Sequence, residues 1–349
     1  MRAFCCFAGM PAFFAPYGKI GENREKTLTK RNGFAIIVIV FYDKFRETFL
    51  FLLFSRTLMN DYEILADASA DLDPSLISTG EIGIIPMRYM LGDEEKTCYG
   101  TETDEEKRAF YQAERRGEAV KSTQINPETY REIFEPKAKE GRNILYISLS
   151  GGLSQTYASS VLAAKELCEK YPQTKIVCVD SVAATVGMGL LAELAAENKR
   201  NGMTLEENVA VLEREKYNVC HWFTVNDLDF LKKGGRIPPS LATIGKMLHI
   251  KPIMRIDEDG KLGSFNKKIG LKFALNELIR LYDTHSEKKD GEKIRIVHCD
   301  CLAFAETVEK AILKINSTAK IEKVLMSPII GIHVGYDVLG VVHFGNRKA

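Results

Sequence analysis

Ile144-Leu145-Tyr146-Ile147-Ser148-Leu149-Ser150-Gly151-Gly152-Leu153-Ser154-Gln155-Thr156-Tyr157 opens as an apolar run and closes in serines and glycines. A short, nearly unbroken apolar run of this kind marks a strand covered on both faces. The turn after it starts a helical stretch, Gln155–Lys170, in which Ala158, Val161, Leu162 and Ala164 are expected to share an apolar side. At such a strand-to-helix turn the first backbone N–H groups have no intrahelical acceptor and meet the positive end of the helix dipole, which makes an anion site. Ser150 and Ser154 add hydroxyls, and Gly151 and Gly152 let a ligand approach the backbone. Simple N-capping by Ser154 would explain the same residues. The segment alone does not choose between the two.

Working outward, strand-like runs at Glu63–Ala66, Gly83–Leu91, Asn143–Ser148, Lys175–Asp180 and Asn218–Val225 alternate with helical stretches. Those helices are Asp104–Arg116, Pro127–Lys139, Gln155–Lys170, Ala184–Asn198 and Thr204–Lys216. This order predicts an α/β fold with a mostly parallel sheet and helices on both faces, over residues 62–217. Beyond that the strands shorten: Lys251–Ile256, Lys261–Phe265, Ile294–Cys299, Lys320–Leu325 and Val338–Phe344, with Asp257-Glu258-Asp259-Gly260 as a hairpin turn. Helices are expected at Ala242–Leu248, Gly270–Tyr282 and Ala303–Ile315. Residues 218–347 therefore read as a second, α+β domain, with a ligand cleft expected between the two.

Residues 1–58 read differently. They hold nine Lys/Arg against four Asp/Glu, while residues 59–349 hold 39 against 43. Their apolar runs, Phe34–Tyr42 and Phe49–Phe54, are nine and six residues long, short of the roughly 20 that span a bilayer. No small-residue cleavage site follows them, so a signal peptide fits poorly. The segment is expected to lie outside the fold, with Met59 as the true start and the upstream stretch a gene-start error. A disordered or weakly helical extension is the alternative, and a membrane anchor the third.

The whole chain of 349 residues carries a formal net charge of only +1, and the acidic bulk argues against nucleic acid as a partner. Eight cysteines lie in apolar or helical stretches without the spacing of a disulfide framework, which points to a reducing cytoplasm. The run His298-Cys299-Asp300-Cys301 ends a strand, where alternate side chains diverge, and no second Cys/His pair lies at zinc spacing. No metal is expected.

Three more segments carry polar groups suited to a carboxylate. In Lys121-Ser122-Thr123-Gln124-Ile125-Asn126-Pro127, Asn126 and Pro127 are explained as helix cap and first turn, leaving Ser122 and Thr123 as candidates. Lys232-Lys233-Gly234-Gly235-Arg236-Ile237 puts a planar guanidinium beside two glycines. In Gly331-Ile332-His333-Val334-Gly335, after strand-like Ser327–Ile330, a histidine lies between glycines. No Gly-x-Ser-x-Gly elbow, Walker loop or His-Glu-x-x-His occurs. Hydroxyls, glycines and one histidine hold carboxylates well and catalyse poorly.

Taken together these segments resemble the DegV family, from Glu63 to Phe344. Asp67-Ala68-Ser69-Ala70-Asp71-Leu72 is similar to its Asp-Ser-x-x-Asp-Leu turn with Ala68 inserted, and Ile85-Pro86-Met87-Arg88 to its Ile-Pro-Leu-x strand. Lys121-Ser122-Thr123-Gln124 resembles its Lys-Thr-Ser-Gln loop with the hydroxyl residues exchanged. Leu149–Tyr157 resembles Leu-Ser-Ser-x-Leu-Ser-Gly-Thr-Tyr with Gly151 for the second serine. Asp180-Ser181 with Gly187 and Gly189, Leu231–Ile237, and Gly331–Gly335 with Ile332 for threonine complete the set. The resemblance implies a DegV-like two-domain fold holding one long-chain fatty acid in an apolar tunnel, which Ile244–Ile250 and Ile84–Leu91 would help to line. It implies carboxylate contacts at Ser122, Thr123, Ser150, Ser154 and His333, with Arg236, Gly151 and Gly152 near the mouth. It further implies a non-enzymatic carrier without cofactor, which presents the acid to a separate ATP-dependent fatty acid kinase for acyl-phosphate formation. It does not imply membrane insertion. A Ser/His hydrolase or acyltransferase, or a sensor of a phosphorylated metabolite, are the alternatives.

Overall fold

A computed structural model of the chain describes residues 62–237 and 249–347. The expected extension 1–58, the helix at Ala242–Leu248 and most of the Ile244–Ile250 lining lie outside the described residues. From Tyr62 the chain runs through β1 (Tyr62–Asp67), α1 (Pro74–Ser78), β2 (Gly83–Ile85), β3 (Met87–Leu91), β4 (Glu94–Cys98) and α2 (Asp104–Arg115). Then come β5 (Val120–Ser122), α3 (Pro127–Lys139), β6 (Asn143–Ser148), α4 (Thr156–Lys170), β7 (Ile176–Asp180), α5 (Thr185–Arg200) and α6 (Leu205–Glu215). The remainder is β8 (Val219–Thr224), α7 (Asp229–Lys233), β9 (Ile250–Ile256), β10 (Leu262–Ile269), α8 (Leu271–His285), β11 (Lys293–His298), α9 (Leu302–Ile315), β12 (Lys320–Leu325), α10 (Pro328–Val334) and β13 (Leu339–Phe344).

Three sheets result. A four-stranded sheet in the order β2-β1-β6-β7 is parallel throughout. A six-stranded mixed sheet runs β10-β9-β8-β13-β11-β12, and a small antiparallel one runs β4-β3-β5. The apolar run that opened the reading is the second-from-edge strand β6, and period-two alternation sends its side chains to two cores. Leu145 and Ile147 join Ile64, Met254 and Val342 in a core shared with the six-stranded sheet. Ile144 and Tyr146 instead meet Tyr130, Phe134 and Leu167 of α3 and α4.

Three local expectations fail, each for a physical reason. The strand-like run Gly83–Leu91 breaks at Pro86 into β2 and β3, which belong to different sheets; proline lacks the N–H a continuing ladder needs. In α4, of the four residues expected on the apolar side only Ala164 is buried, while Val161 and Leu162 are 40% and 49% exposed. The buried side is Ser159, Ser160, Ala163, Ala164 and Leu167, a mostly small-residue face against α3 and β7. Ser327–Ile330 is not a strand. Pro328 takes the first position of helix α10, with extended Ser327 before it, the place where proline's fixed φ favours a helix start.

Candidate functional site

Asp67, at the end of β1, is fully buried and gathers the loops below the site. It accepts hydrogen bonds from the Ser69 N–H (3.0 Å), the Tyr146 hydroxyl (2.9 Å) and the Leu149 N–H (3.2 Å). Burial pushes its pKa up, and these donors pull it back. Asp71, in the left-handed region at φ 45°, accepts from Thr185 Oγ1 at 2.5 Å and from the Ser327 N–H at 2.7 Å. One carboxylate thus anchors the starts of α5 and α10. The Asp-x-Ser-x-Asp segment is scaffold, and it fixes the helix that carries His333.

That helix ends at Gly335 (φ 78°), where an added Cβ would sit 2.5 Å from the Phe230 ring. His333 lies in its last turn, and its Nε2 is 2.8 Å from the Ser122 hydroxyl. Ser122 is the last residue of β5, not part of a loop as its sequence context predicts. Burial first, and then the nearby Arg236 guanidinium, pull the His333 pKa down to about 4. The imidazole is therefore neutral at pH 7. Its buried Nδ1 has no hydrogen-bond partner among the described residues. Arg236 itself donates to the carbonyls of Leu153 (Nε, 3.3 Å) and Gly234, and among the described residues no carboxylate lies within ion-pair distance of it.

Ser122, Thr123, Ser154, His333 and Arg236 all line one cavity of about 770 Å³, a size ordinary for small-molecule sites. Its walls are otherwise largely apolar, including Leu149, Leu153, Ile256, Ile330 and Val342. Of the expected lining Ile84–Leu91, only Met87 reaches it. Thr123 and Gln124 are exposed at its rim.

The Ser/Gly turn departs from expectation. Ser150 is fully buried, donates to the Gly260 carbonyl at 2.8 Å and accepts from the Gly152 N–H at 3.1 Å. It does not line the cavity, and neither do Gly151 and Gly152. The amides read as free are taken: Gly151 N–H by Asp180 (3.1 Å), Leu153 and Ser154 N–H by the Ser150 carbonyl (3.0 and 3.1 Å), and Thr156 N–H by Ser154 Oγ (3.2 Å). Gly152 is needed because the 257–260 hairpin turn lies on it; a Cβ there would be 2.5 Å from the Asp259 carbonyl oxygen. The turn fastens β6 to the β9–β10 hairpin, and of its serines and glycines only Ser154 borders the cavity, beside Leu149 and Leu153. That hydroxyl sits 2.7 Å from Thr156 Oγ1.

The cluster His298–Cys301 divides because the strand stops at His298 and the chain turns at Asp300 (φ 54°), whereas continued alternation would put Cys299 and Cys301 on one face. Cys299 Sγ lies 3.3 Å from the Tyr111 hydroxyl and Cys301 Sγ 3.3 Å from the Val338 carbonyl, in different cores. Among the polar cavity-lining residues, the buried Glu114 has no sequence motif to announce it. Glu114 reads as one more charge on an acidic amphipathic helix, and only tertiary packing buries it.

Chemically, a neutral imidazole against a serine hydroxyl can orient that hydroxyl as a donor to an anion. It makes a weak general base, since proton abstraction favours a pKa near the working pH. Among the described residues no carboxylate hydrogen-bonds to Nδ1 in the way the orienting member of a hydrolase triad does. Among the described residues no helix is long and apolar enough to cross a membrane, and no group of three or more metal-ligating side chains occurs.

Residues 61–346 match the profile of the family described as "Uncharacterised protein, DegV family". A DegV domain-containing protein of Clostridium perfringens is 35% identical over 292 residues, covering 83% of this chain and 99% of that protein. A DegV lipid-binding protein of Thermotoga maritima superposes with a TM-score of 0.69 at 27% identity, over 82% of this chain and 98% of its own. A second Thermotoga maritima protein, whose structure is described as revealing a fatty acid binding function, superposes with a TM-score of 0.67 at 27% identity, over 82% and 99%.

Proposed function

This chain belongs to the DegV family, and from that premise and the cavity we propose that it binds one long-chain fatty acid and presents the carboxylate to a partner ATP-dependent kinase. The observation that carries the reading is the Ser122–His333 pair, hydrogen-bonded at 2.8 Å and bordering a largely apolar cavity. Relatives of similar fold described as lipid-binding or fatty-acid-binding support the same occupant.

In this reading His333 Nε2–H donates to Ser122 Oγ, which frees the Ser122 hydroxyl proton for one carboxylate oxygen. Ser154 and Thr123 offer further hydroxyls, and Arg236 supplies positive charge nearby without a fixed ion pair. The tail lies along Leu149, Ile256, Ile330 and Val342. Burying about 16 to 18 carbons contributes on the order of 10 kcal/mol at about 0.8 kcal/mol per methylene, before the cost of association. Affinity comes from the tail, and the polar end sets orientation. The second carboxylate oxygen, facing the exposed rim, is the one a kinase would phosphorylate.

Native mass spectrometry of the purified chain tests the occupant: a co-purifying long-chain acid is expected, and a phosphorylated polar ligand overturns the reading. Ser122→Ala should weaken fatty acid binding by about tenfold, the worth of one charge-assisted hydrogen bond. The kinase step is checked by acyl-phosphate formation from ATP, acid and kinase, which must depend on this chain. Hydrolysis of activated esters by the purified chain, abolished by Ser122→Ala, would instead favour an enzyme.

A further inference from the structure

The stretch from Glu114 to Ser122 supplies two polar points on one cavity. It begins in the last turn of α2, where the Glu114 carbonyl accepts the Gly117 N–H at 2.9 Å, and enters β5 at Val120. Glu114, Val120 and Ser122 all line the cavity. Glu114 is only 5% exposed, and both of its carboxyl oxygens are buried with no hydrogen-bond partner among the described residues. The adjacent guanidinium is engaged elsewhere: Arg115 is paired with Asp337 at 2.6 Å and with Asp300 at 3.8 Å. A carboxyl left in this condition against an apolar ligand forfeits hydrogen bonds it would have in water. The Ser122–His333 pair does not use it.

We propose that Glu114 is a second recognition point in the cavity, for a hydroxyl group borne on the acyl chain, so that the preferred ligand is a hydroxylated long-chain fatty acid. The inference rests on the fatty-acid reading above. A hydroxyl fits better than other polar groups. A second carboxylate would meet like charge, and a cation would be stripped of water in an apolar chamber. A neutral hydroxyl donates to an ionised carboxylate and accepts from a protonated one, so it satisfies Glu114 in either form. Sites that hydrogen-bond a ligand hydroxyl reject the analogue lacking it, because their own buried group is then left unpaired.

The test is competition for the delipidated full chain between stearic acid and a set of hydroxystearic acids differing in hydroxyl position, read by native mass spectrometry. In the wild type at least one isomer should outcompete stearic acid by roughly tenfold or more. In Glu114→Leu the two affinities should converge; Glu114→Met replaces it if the leucine variant does not fold by circular dichroism. Uptake of stearic acid with no isomer preferred, or a preference that persists without Glu114, overturns this proposal and leaves the fatty-acid reading standing. Failure to take up any of these acids overturns both.

Discussion

Replacing His333 by glutamine keeps a polar side chain beside Ser122 and removes the imidazole's titration. The wild-type imidazole falls from an ordinary value of 6.5 to about 4 because burial and Arg236 disfavour its charged form. The sign follows from which state binds the proton. Below pH 6.5 the unfolded chain protonates this histidine while the native chain does not, so stability is present above that value and is lost as pH falls toward about 4. Linkage makes this side chain's share about 2 kcal/mol between pH 7 and pH 5. Urea unfolding of delipidated wild type and His333→Gln at both values isolates it, since the other buried histidines are common to the two proteins. The stability difference should move by about 2 kcal/mol in favour of the variant on acidification, with unchanged denaturant slopes. A difference that stays constant across the two pH values would show that the fold does not hold His333 neutral, and the proposed direction of the Ser122 hydroxyl would go with it.

Glu114→Gln should act with the opposite pH sense. Burial raises this carboxyl from 4.5 to about 7, so native stability is lost as pH rises through that range, and the delipidated variant should exceed wild type by about 3 kcal/mol at pH 8 and about 1 kcal/mol or less at pH 5. Equal gains at both values in urea melts would refute a buried, unpaired carboxyl. Gly152→Ala drives a Cβ into the Asp259–Gly260 backbone at 2.5–2.7 Å and should cost about 1 to 3 kcal/mol. A melting temperature equal to wild type would mean that the hairpin turn does not lie on the Ser/Gly loop.

Most of the elements and much of the family signature were legible in local sequence. Hydrophobic period, caps and turn residues are local, so α3 begins at Pro127 with Asn126 accepting from the Thr129 N–H at 2.9 Å, and β6 and β12 occupy the expected residues. Tertiary structure decided what the polar groups do, because partners distant in sequence compete for the same donors. Ser122 and His333, 211 residues apart, meet, whereas Ser150 and the loop amides, equally suited to an anion on paper, are claimed by Gly260, Asp180 and neighbouring backbone. Nothing local distinguishes Glu114 from the other acids of its helix; only the packing of that helix against the cavity strips it of water and partners. Hydrophobic pattern is written residue by residue, but a hydrogen bond between remote segments exists only once the chain has closed around it.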